Sequence, residues 1–256
     1  MLELREANRR MDEFLGIASH ELRTPLTKIK TSMQLAEHRV KTALRQQSAN
    51  GGALAQTLQP IQEMIGRAVR SVDMVNRLVG DLLDVSRIQA DRLEMRPAPV
   101  DLTQVVREAV EEQRELFPKR EITLTTPEGN EPALVIADAE RIAQVIINYL
   151  TNALKYSPVN RPVEVGVQMN ERVVRVWVRD HGPGIPFDAQ ARLWDRFYQA
   201  RGVIVQHGSS VGLGLGLYIS KTIIERHGGQ VGVESAPGKG ATFWFALPLA
   251  GPRSGA

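Results

Sequence analysis

Apolar residues recur at alternating steps of three and four in two stretches of the first ninety residues. This is the spacing of a helix with a heptad seam, so each stretch predicts a long amphipathic helix. The first seam consists of Met11, Leu15, Ala18, Leu22, Leu26, Ile29, Met33, Ala36 and Val40. The second consists of Leu58, Ile61, Ile65, Ala68, Val72, Val75, Val79 and Leu82. The polar stretch between them contains Gly51 and Gly52, so we expect the two helices to form a hairpin.

A single hairpin with two narrow seams buries little apolar surface. A homodimer in which two hairpins form a four-helix bundle would bury both seams. We therefore predict an all-α dimerisation domain over residues 1–96. The sequence Arg96-Pro97-Ala98-Pro99 interrupts the helical pattern and predicts a linker at residues 97–100.

Beyond the linker, short β-type runs alternate with helical ones, which predicts an α+β domain over residues 101–250 and a flexible tail at residues 251–256. The predicted strands cover residues 122–125, 163–169, 173–178, 230–234 and 242–247. The predicted helices cover residues 102–117, 138–155 and 215–226.

Composition narrows the class of protein. The 256 residues contain no apolar run near the roughly 18 residues of a membrane span, and the N-terminus has no secretory pattern. The absence of cysteine excludes a disulfide framework and a thiolate metal site, so we expect a reducing, cytoplasmic setting. The isoelectric point near 9.3 rests on a net charge of only +3 with both signs interspersed, so we expect no nucleic-acid partner.

Two glycine-containing segments predict a phosphate-binding site. Asp180, Gly182 and Gly184 follow a predicted strand, and glycines at that place let a ligand approach the backbone closely. Taken alone, an Asp-x-Gly-x-Gly sequence is usually an ordinary turn. About thirty residues later a second run of alternating glycines opens a helix, whose backbone N–H groups and positive end attract phosphate; it consists of Gly212, Gly214 and Gly216. This second run lacks the Lys-Ser/Thr of a P-loop and the preceding strand of a dinucleotide fold.

The helix predicted at residues 138–155 carries candidate magnesium ligands. Asn148 and Asn152 are four residues apart and share one face, with Lys155 and Tyr156 at the end of the helix. Neutral amide oxygens beside phosphates suit Mg²⁺. Seen singly, each of these side chains would be interpreted as ordinary surface polarity.

Together with Phe197, these segments resemble in order the N, G1, F and G2 boxes of the histidine-kinase ATP-binding domain. The resemblance covers about residues 100–249 and implies a two-layer sandwich of the GHKL ATPase type that binds ATP and Mg²⁺. It also implies that Asp180 accepts a hydrogen bond from the adenine amino group and that Asn148 and Asn152 hold Mg²⁺. The remaining predicted nucleotide contacts are Lys155, Tyr156, Gly182, Gly184, Gly212, Gly214 and Gly216.

Two features refine what the resemblance implies. Hydrolytic members of the superfamily carry Glu where this chain has Asn148, and only a carboxylate can act as general base for water, so transfer is favoured over hydrolysis. Trp194 and Asp195 stand where many relatives have Phe and Glu, which predicts altered packing of the nucleotide lid. We expect this lid at residues 199–211, mobile until nucleotide binds, with Arg201 as a candidate phosphate contact.

His20 is the candidate phosphoacceptor of the first helix. It lies two residues from both Ala18 and Leu22 of the seam, and two residues turn about 200° around a helix, so His20 should face solvent. Pro25 removes the N–H that would bond the carbonyl of Glu21 and loosens this turn. A neutral imidazole is a nucleophile near neutral pH, and the adjacent Glu21 can orient the ring and take its proton.

Residues 20–26 match in full the core His-Glu-x-Arg-Thr-Pro-Leu of the H box of the major histidine-kinase family, so the chain resembles the cytoplasmic catalytic portion of a sensor histidine kinase. The resemblance implies that His20 is phosphorylated, that Glu21 is the general base, and that the phosphoryl group passes to an Asp of a separate response regulator. It further implies that Thr24 helps position the water that dephosphorylates the regulator. The sensor domain is expected upstream of this chain.

Two other classes remain as alternatives: a scaffold module that binds ATP without phosphorylating itself, and a chaperone-like ATPase. The intact H box argues against the first, and the amide at Asn148 argues against the second.

Overall fold

The computed structural model describes residues 22, 24–36, 38–40, 42, 53–127, 132–200 and 213–250, with the backbone alone at several positions before residue 74. The predicted catalytic residues His20 and Glu21, the glycine Gly212, and most of the predicted lid with Arg201 lie outside these ranges. The chain divides into two compact units, one ending at Leu83 and the other beginning at Asp84. Among the helices of the described ranges, none combines the length and the apolarity needed to cross a membrane.

The first unit contains the second predicted helix and, within the described residues, the C-terminal part of the first. Residues 24–36 and 38–40 are helical and form part of α1, and α2 (Ala53–Gln89) is a continuous helix of 37 residues. Helix α2 begins inside the stretch predicted as polar connection and continues seven residues beyond the last seam position, so that its end belongs to the second unit. Because its heptad pattern persists to residue 82, no local signal stops the helix earlier.

The second unit is built on a mixed five-stranded sheet. Its strands are β2 (Ile122–Thr125), β4 (Val163–Met169), β5 (Val173–Asp180), β6 (Gln230–Ser235) and β7 (Ala241–Pro248). They lie in the order β2-β4-β5-β7-β6; β2 and β4 are parallel, and all other neighbours are antiparallel. The helices are α3 (Leu102–Leu116), α4 (Ala139–Tyr156), α5 (Phe187–Gln190) and α6 (Gly216–Arg226).

The core of this unit lies between one face of the sheet and the helices. Strands β5 and β7 alternate between buried and half-exposed residues, as period-two patterning requires, and their inward residues include Val176 and Phe245. Helix α4 buries residues at steps of three and four, among them Ile142, Ile146 and Tyr149. Helices α3, α4 and α6 all contact the sheet, which confirms the predicted two-layer α+β sandwich.

One segment differs from its prediction. Residues 98–100, predicted as linker, form most of β1 (Ala98–Asp101), which pairs antiparallel with β3 (Leu134–Ala137) in a separate two-stranded sheet. Pro99 prevents a helix but is compatible with an edge strand, since β1 has a single neighbour. The prolines at positions 97 and 99 indicated a break rather than a strand at β1, and the four apolar residues of β3 show no alternation with polar ones, so neither strand was predicted.

Candidate functional site

Helix α4 is fixed at both ends. At its start Asp138 accepts a hydrogen bond from the backbone N–H of Arg141 at 3.2 Å, and at its end the backbone N–H of Ser157 bonds the carbonyl of Ala153. The guanidinium of Arg120 donates to the carbonyls of Leu154 and Ser157 at 3.1 and 3.3 Å. Because the apolar stripe of α4 is buried, its polar face is held in a defined direction.

Asn148 lies against the first turn of α6. Its Nδ2 donates to Oγ of Ser220 at 2.9 Å, and a Cβ placed on Gly216 would collide with its Oδ1. Ser220 is almost fully buried and had no signal in the sequence, since it is 72 residues from its partner. The donor end of the amide is therefore occupied, and its oxygen remains beside the N-terminus of α6 as an acceptor or metal ligand.

Asp180 and Gly182 form a tight turn against the other end of α4. Asp180 is 5% exposed, and its Oδ1 accepts the backbone N–H of Gly182 at 2.7 Å. A Cβ on Gly182 would lie 2.8 Å from both this oxygen and the carbonyl oxygen of Tyr156. Gly184 has a φ of +72°, and a Cβ there would collide with the carbonyl of Ala236, so both predicted glycines are required by close packing.

Burial raises the pKa of the Asp180 carboxyl above its ordinary value, while hydrogen bonds from the backbone N–H groups of Gly182 and Ala241 and the neighbouring His181 act in the opposite direction. A carboxylate kept in such a place is a strong acceptor for a ligand that brings its own N–H donor.

His181 connects this turn to two further elements. Its Nε2 lies 2.9 Å from Oε1 of Glu164 on β4, and its backbone N–H points to Oγ of Ser157 at 3.4 Å. Neither Glu164 nor Ser157 was among the predicted site residues. Glu164 is 17 residues and Ser157 is 24 residues from His181 along the chain, and only the folded sheet brings them together.

The predicted F box packs on the second glycine run. The backbone N–H of Phe197 donates to the carbonyl of Gly214 at 3.0 Å, and a Cβ on Gly214 would lie 2.7 Å from the carbonyl oxygen of Tyr198. Phe197 and Gly214 both have positive φ, +61° and +68°. Trp194 contacts Phe243 of β7 edge to face, with ring centroids 6.2 Å apart, so the residue that departs from the family pattern packs against the sheet.

Several of the predicted residues of the second unit thus lie along α4. Asn148 lies with Gly216 at one end, and Tyr156 lies with Gly182 and Asp180 at the other. Asn152, half-buried, is one turn beyond Asn148. The Nζ of Lys155 lies 5.1 Å from the centroid of the Tyr156 ring.

This arrangement suits a ligand with a polar heterocycle at one end and a polyphosphate at the other. The buried acceptor Asp180 and the N-terminus of α6 are separated along α4 by the eight residues from Asn148 to Tyr156, about 12 Å. Within the described ranges, no three side chains of His, Asp or Glu come together to hold a metal ion by themselves. The amide oxygens of Asn148 and Asn152 are the donors that fit a hard cation bound together with phosphate.

Two protein families match this chain. Residues 10–91 match the family of the His Kinase A (phospho-acceptor) domain. Residues 137–251 match the family described as histidine kinase-, DNA gyrase B-, and HSP90-like ATPase. The first match covers the predicted hairpin with His20, and the second covers α4, the Asp180 turn and α6.

Several sensory kinases are similar over nearly the whole chain. The adaptive-response sensory kinase SasA of Thermosynechococcus vestitus is 31% identical over 240 residues, which cover 93% of this chain and 60% of the relative. The alginate biosynthesis sensor protein KinB of Pseudomonas aeruginosa is 32% identical over 96% of this chain and 38% of its own length. The chain therefore spans between 38% and 61% of the length of the curated relatives that it matches.

A solved structure is similar in fold. The mycobacterial sensor histidine kinase MprB matches with a TM-score of 0.52 and 29% identity, over 61% of this chain and 100% of that chain. The two family matches follow one another along the chain, and the ATPase match covers the residues that come together along α4. The chain belongs to the histidine protein kinases of two-component systems, of which it contains the catalytic portion.

Proposed function

We propose that the second unit binds ATP with Mg²⁺, that the γ-phosphoryl group is transferred to His20, and that it then passes to an Asp of a response regulator. The observation that carries the proposal is the placement of Asn148 at the N-terminus of α6 and of Asp180 at the opposite end of the same helix face. Asp180 would accept the adenine amino group, and the first turn of α6 would receive phosphate oxygens. Asn148 and Asn152 would hold Mg²⁺, which neutralises phosphate charge when bound.

Transfer to histidine is favoured over hydrolysis because of the side chain at position 148. An amide cannot take a proton from water as a carboxylate can. In the proposed step a ring nitrogen of neutral His20 forms a bond to the γ-phosphorus, the bond from that phosphorus to the bridging oxygen breaks, and ADP leaves. Glu21 accepts the proton of the imidazole. A chaperone-like ATPase would require a carboxylate where Asn148 stands.

The direct test is incubation of the chain with γ-labelled ATP and Mg²⁺. We expect a protein-bound label that is lost in acid and retained in base, as a phosphohistidine is. A label with the opposite stability, or free phosphate released without labelled protein, would contradict the proposal.

We also propose that two copies form a four-helix bundle through α1 and α2. Helix α2 leaves an apolar stripe more than 40% exposed, consisting of Ile65, Val69, Val72, Val79 and Leu83. Helix α1 leaves Leu26, Met33 and Val40 exposed at intervals of seven residues. Contiguous exposed seams on both helices are typical of an interface.

Val72→Glu is therefore expected to convert the dimer into a monomer at micromolar concentration, since it places a charge in the middle of the stripe. Light scattering coupled to size-exclusion chromatography measures the mass. Arg77→Glu is the control, because Arg77 is exposed but lies outside the stripe and should leave the dimer intact. A monomeric unmodified chain would rule out the proposed bundle.

Regulator phosphatase activity is a further part of the proposal. Thr24, half-buried on α1, is four residues from His20 in sequence, a spacing that would place the two side chains on one face of a continuous helix. Thr24→Ala is expected to slow decay of the phosphorylated regulator more than it slows labelling of His20, because its hydroxyl would hold the attacking water. The ratio of the two rates, measured with purified regulator at fixed Mg²⁺ and nucleotide, is the readout. An equal loss of both rates would leave Thr24 as an ordinary helix residue.

The relatives are longer than this chain, and we propose that the complete protein carries a sensor segment before α1, with the catalytic portion in the cytoplasm. That segment, rather than the site on α4, would determine the stimulus.

A further inference from the structure

Asp84 is a buried carboxylate near the end of α2. It belongs to the second unit and is 6% exposed. Its Oδ2 accepts hydrogen bonds from Nη1 of Arg141 at 2.9 Å and from Nε2 of Gln144 at 2.8 Å, both in the first two turns of α4. Nη1 of Arg141 also donates to Oε1 of Gln144 at 2.8 Å, so the three side chains form a closed network. A buried carboxylate without such partners would be strongly unfavourable.

The network lies on the same face of α4 as the proposed nucleotide ligands. The residues of this face follow one another at steps of three and four: Arg141, Gln144, Asn148, Asn152 and Lys155. At 100° per residue they fall within about 80° of the helix circumference. Gln144 and Asn148 are one turn apart, about 6 Å along the axis, so the network directly precedes the candidate Mg²⁺ ligands.

The two ends of the nucleotide site are held by different contacts. Asn148 sits close to the Asp84 network, whereas the Asp180 turn lies at the C-terminal end of α4, about 22 Å from Arg141 along the axis. That end is held by Arg120, through the carbonyls of Leu154 and Ser157. A change at Asp84 should therefore affect the phosphate end of the site and spare the adenine end.

We propose that Asp84 is a positioning residue for the Mg²⁺ and triphosphate end of the nucleotide site, acting through Arg141 and Gln144. The inference rests on the proposed binding of Mg-ATP along α4. With the network formed, the first two turns of α4 cannot rotate or slide without breaking buried, charge-assisted hydrogen bonds. Asn148 is thereby kept against Gly216 with its oxygen in place.

A second ion pair in the same segment provides a matched control. Oδ1 of Asp91 accepts a hydrogen bond from Nη2 of Arg226 at 2.6 Å, but the Asp91 side chain is 92% exposed. Exposed ion pairs contribute little because solvent screens them. Asp91→Asn and Asp84→Asn therefore make the same chemical change, seven residues apart, at two carboxylates that each pair with an arginine. The two sites differ in burial and in their distance from Asn148.

The test measures nucleotide affinity by calorimetry, with Mg²⁺ and with chelator, together with the rate of autophosphorylation at saturating Mg-ATP. For Asp84→Asn we expect about a tenfold loss of ATP affinity in Mg²⁺ and a similar loss of rate, the range seen for outer-shell partners of metal ligands. ADP affinity in chelator should stay within about twofold, since it depends on the Asp180 end. Asp91→Asn should match the unmodified chain in all three measurements.

The double variant Asp84→Leu with Arg141→Met tests the proposal without leaving a buried charge unpaired, a replacement that often preserves stability. We expect it to keep a melting temperature near that of the unmodified chain and still to lose the Mg²⁺-dependent affinity. Unchanged Mg²⁺-dependent affinity in both Asp84 variants would overturn the proposal, as would a parallel loss of ADP affinity in chelator or an equal effect of Asp91→Asn. Failure of the unmodified chain to bind Mg-ATP would instead contradict the proposed function, and the inference with it.

Discussion

His20→Gln is expected to abolish autophosphorylation, by at least about a thousandfold, while ATP affinity stays within about twofold of the unmodified chain. The glutamine amide nitrogen has no available lone pair for attack on phosphorus, so the acceptor is lost. The proposed ATP-binding residues all belong to the unit that begins at Asp84, and His20 belongs to the other. The measurement combines label incorporation from γ-labelled ATP with calorimetric nucleotide binding.

His38→Gln is the matched control for this prediction. His38 is an exposed histidine of α1, and its replacement should leave labelling intact. Acid-labile label on the His20→Gln protein would show that another residue is the acceptor. Loss of label in His38→Gln as well would point to a general effect on α1.

Asp180→Asn is expected to weaken ATP binding by between about tenfold and a hundredfold, the usual cost of losing one hydrogen bond to a charged partner. The folded protein should tolerate the change, because the amide oxygen can still accept the backbone N–H of Gly182 that Oδ1 accepts at 2.7 Å. Burial also raises the pKa of Asp180, so its charge opposes folding at pH values above that pKa, and a neutral amide removes this cost. We therefore expect little change in melting temperature without nucleotide.

The same raised pKa predicts a pH dependence of binding. As the pH falls, Asp180 takes up its proton at a higher pH than an ordinary aspartate, and ATP affinity should fall with it; Asp180→Asn should remove this part of the profile. Asp188→Asn, at an exposed carboxylate of α5, is the control and should preserve both affinity and pH profile. Equal ATP affinity in Asp180→Asn and the unmodified chain would show that Asp180 does not contact the nucleotide.

Some parts of the second unit could be predicted closely from local patterns. The strand predicted at residues 122–125 and that at residues 163–169 coincide with β2 and β4, and the helix predicted at residues 138–155 is displaced by one residue from α4. Strands show alternating apolar residues, and helices show apolar residues at steps of three and four. Both patterns involve only a few consecutive positions, so they can be recognised without knowing the fold. The Asx cap at Asp138 is equally local.

The partners of the site residues could not be predicted in this way. The bond from Asn148 to Ser220 joins positions 72 apart, and the network from Asp84 to Arg141 and Gln144 joins positions 57 and 60 apart. Nothing in the residues around Asp84 distinguishes it from any other acidic residue near the end of a helix. Its burial depends on where α4 packs, and this is decided by apolar contacts along the whole second unit.

By itself the sequence determined which residues are candidates and on which face of a helix they lie. The steps from Asn148 to Asn152 and Lys155 place them together on any α-helix, since 3.6 residues make one turn. Only the tertiary structure decided that this face meets the first turn of α6 at Gly216 and the Asp180 turn at Tyr156, and that Asp84 is buried beside it. The reason is physical: helical periodicity is encoded locally, whereas contacts between distant segments form when the sheet and helices bury their apolar faces together.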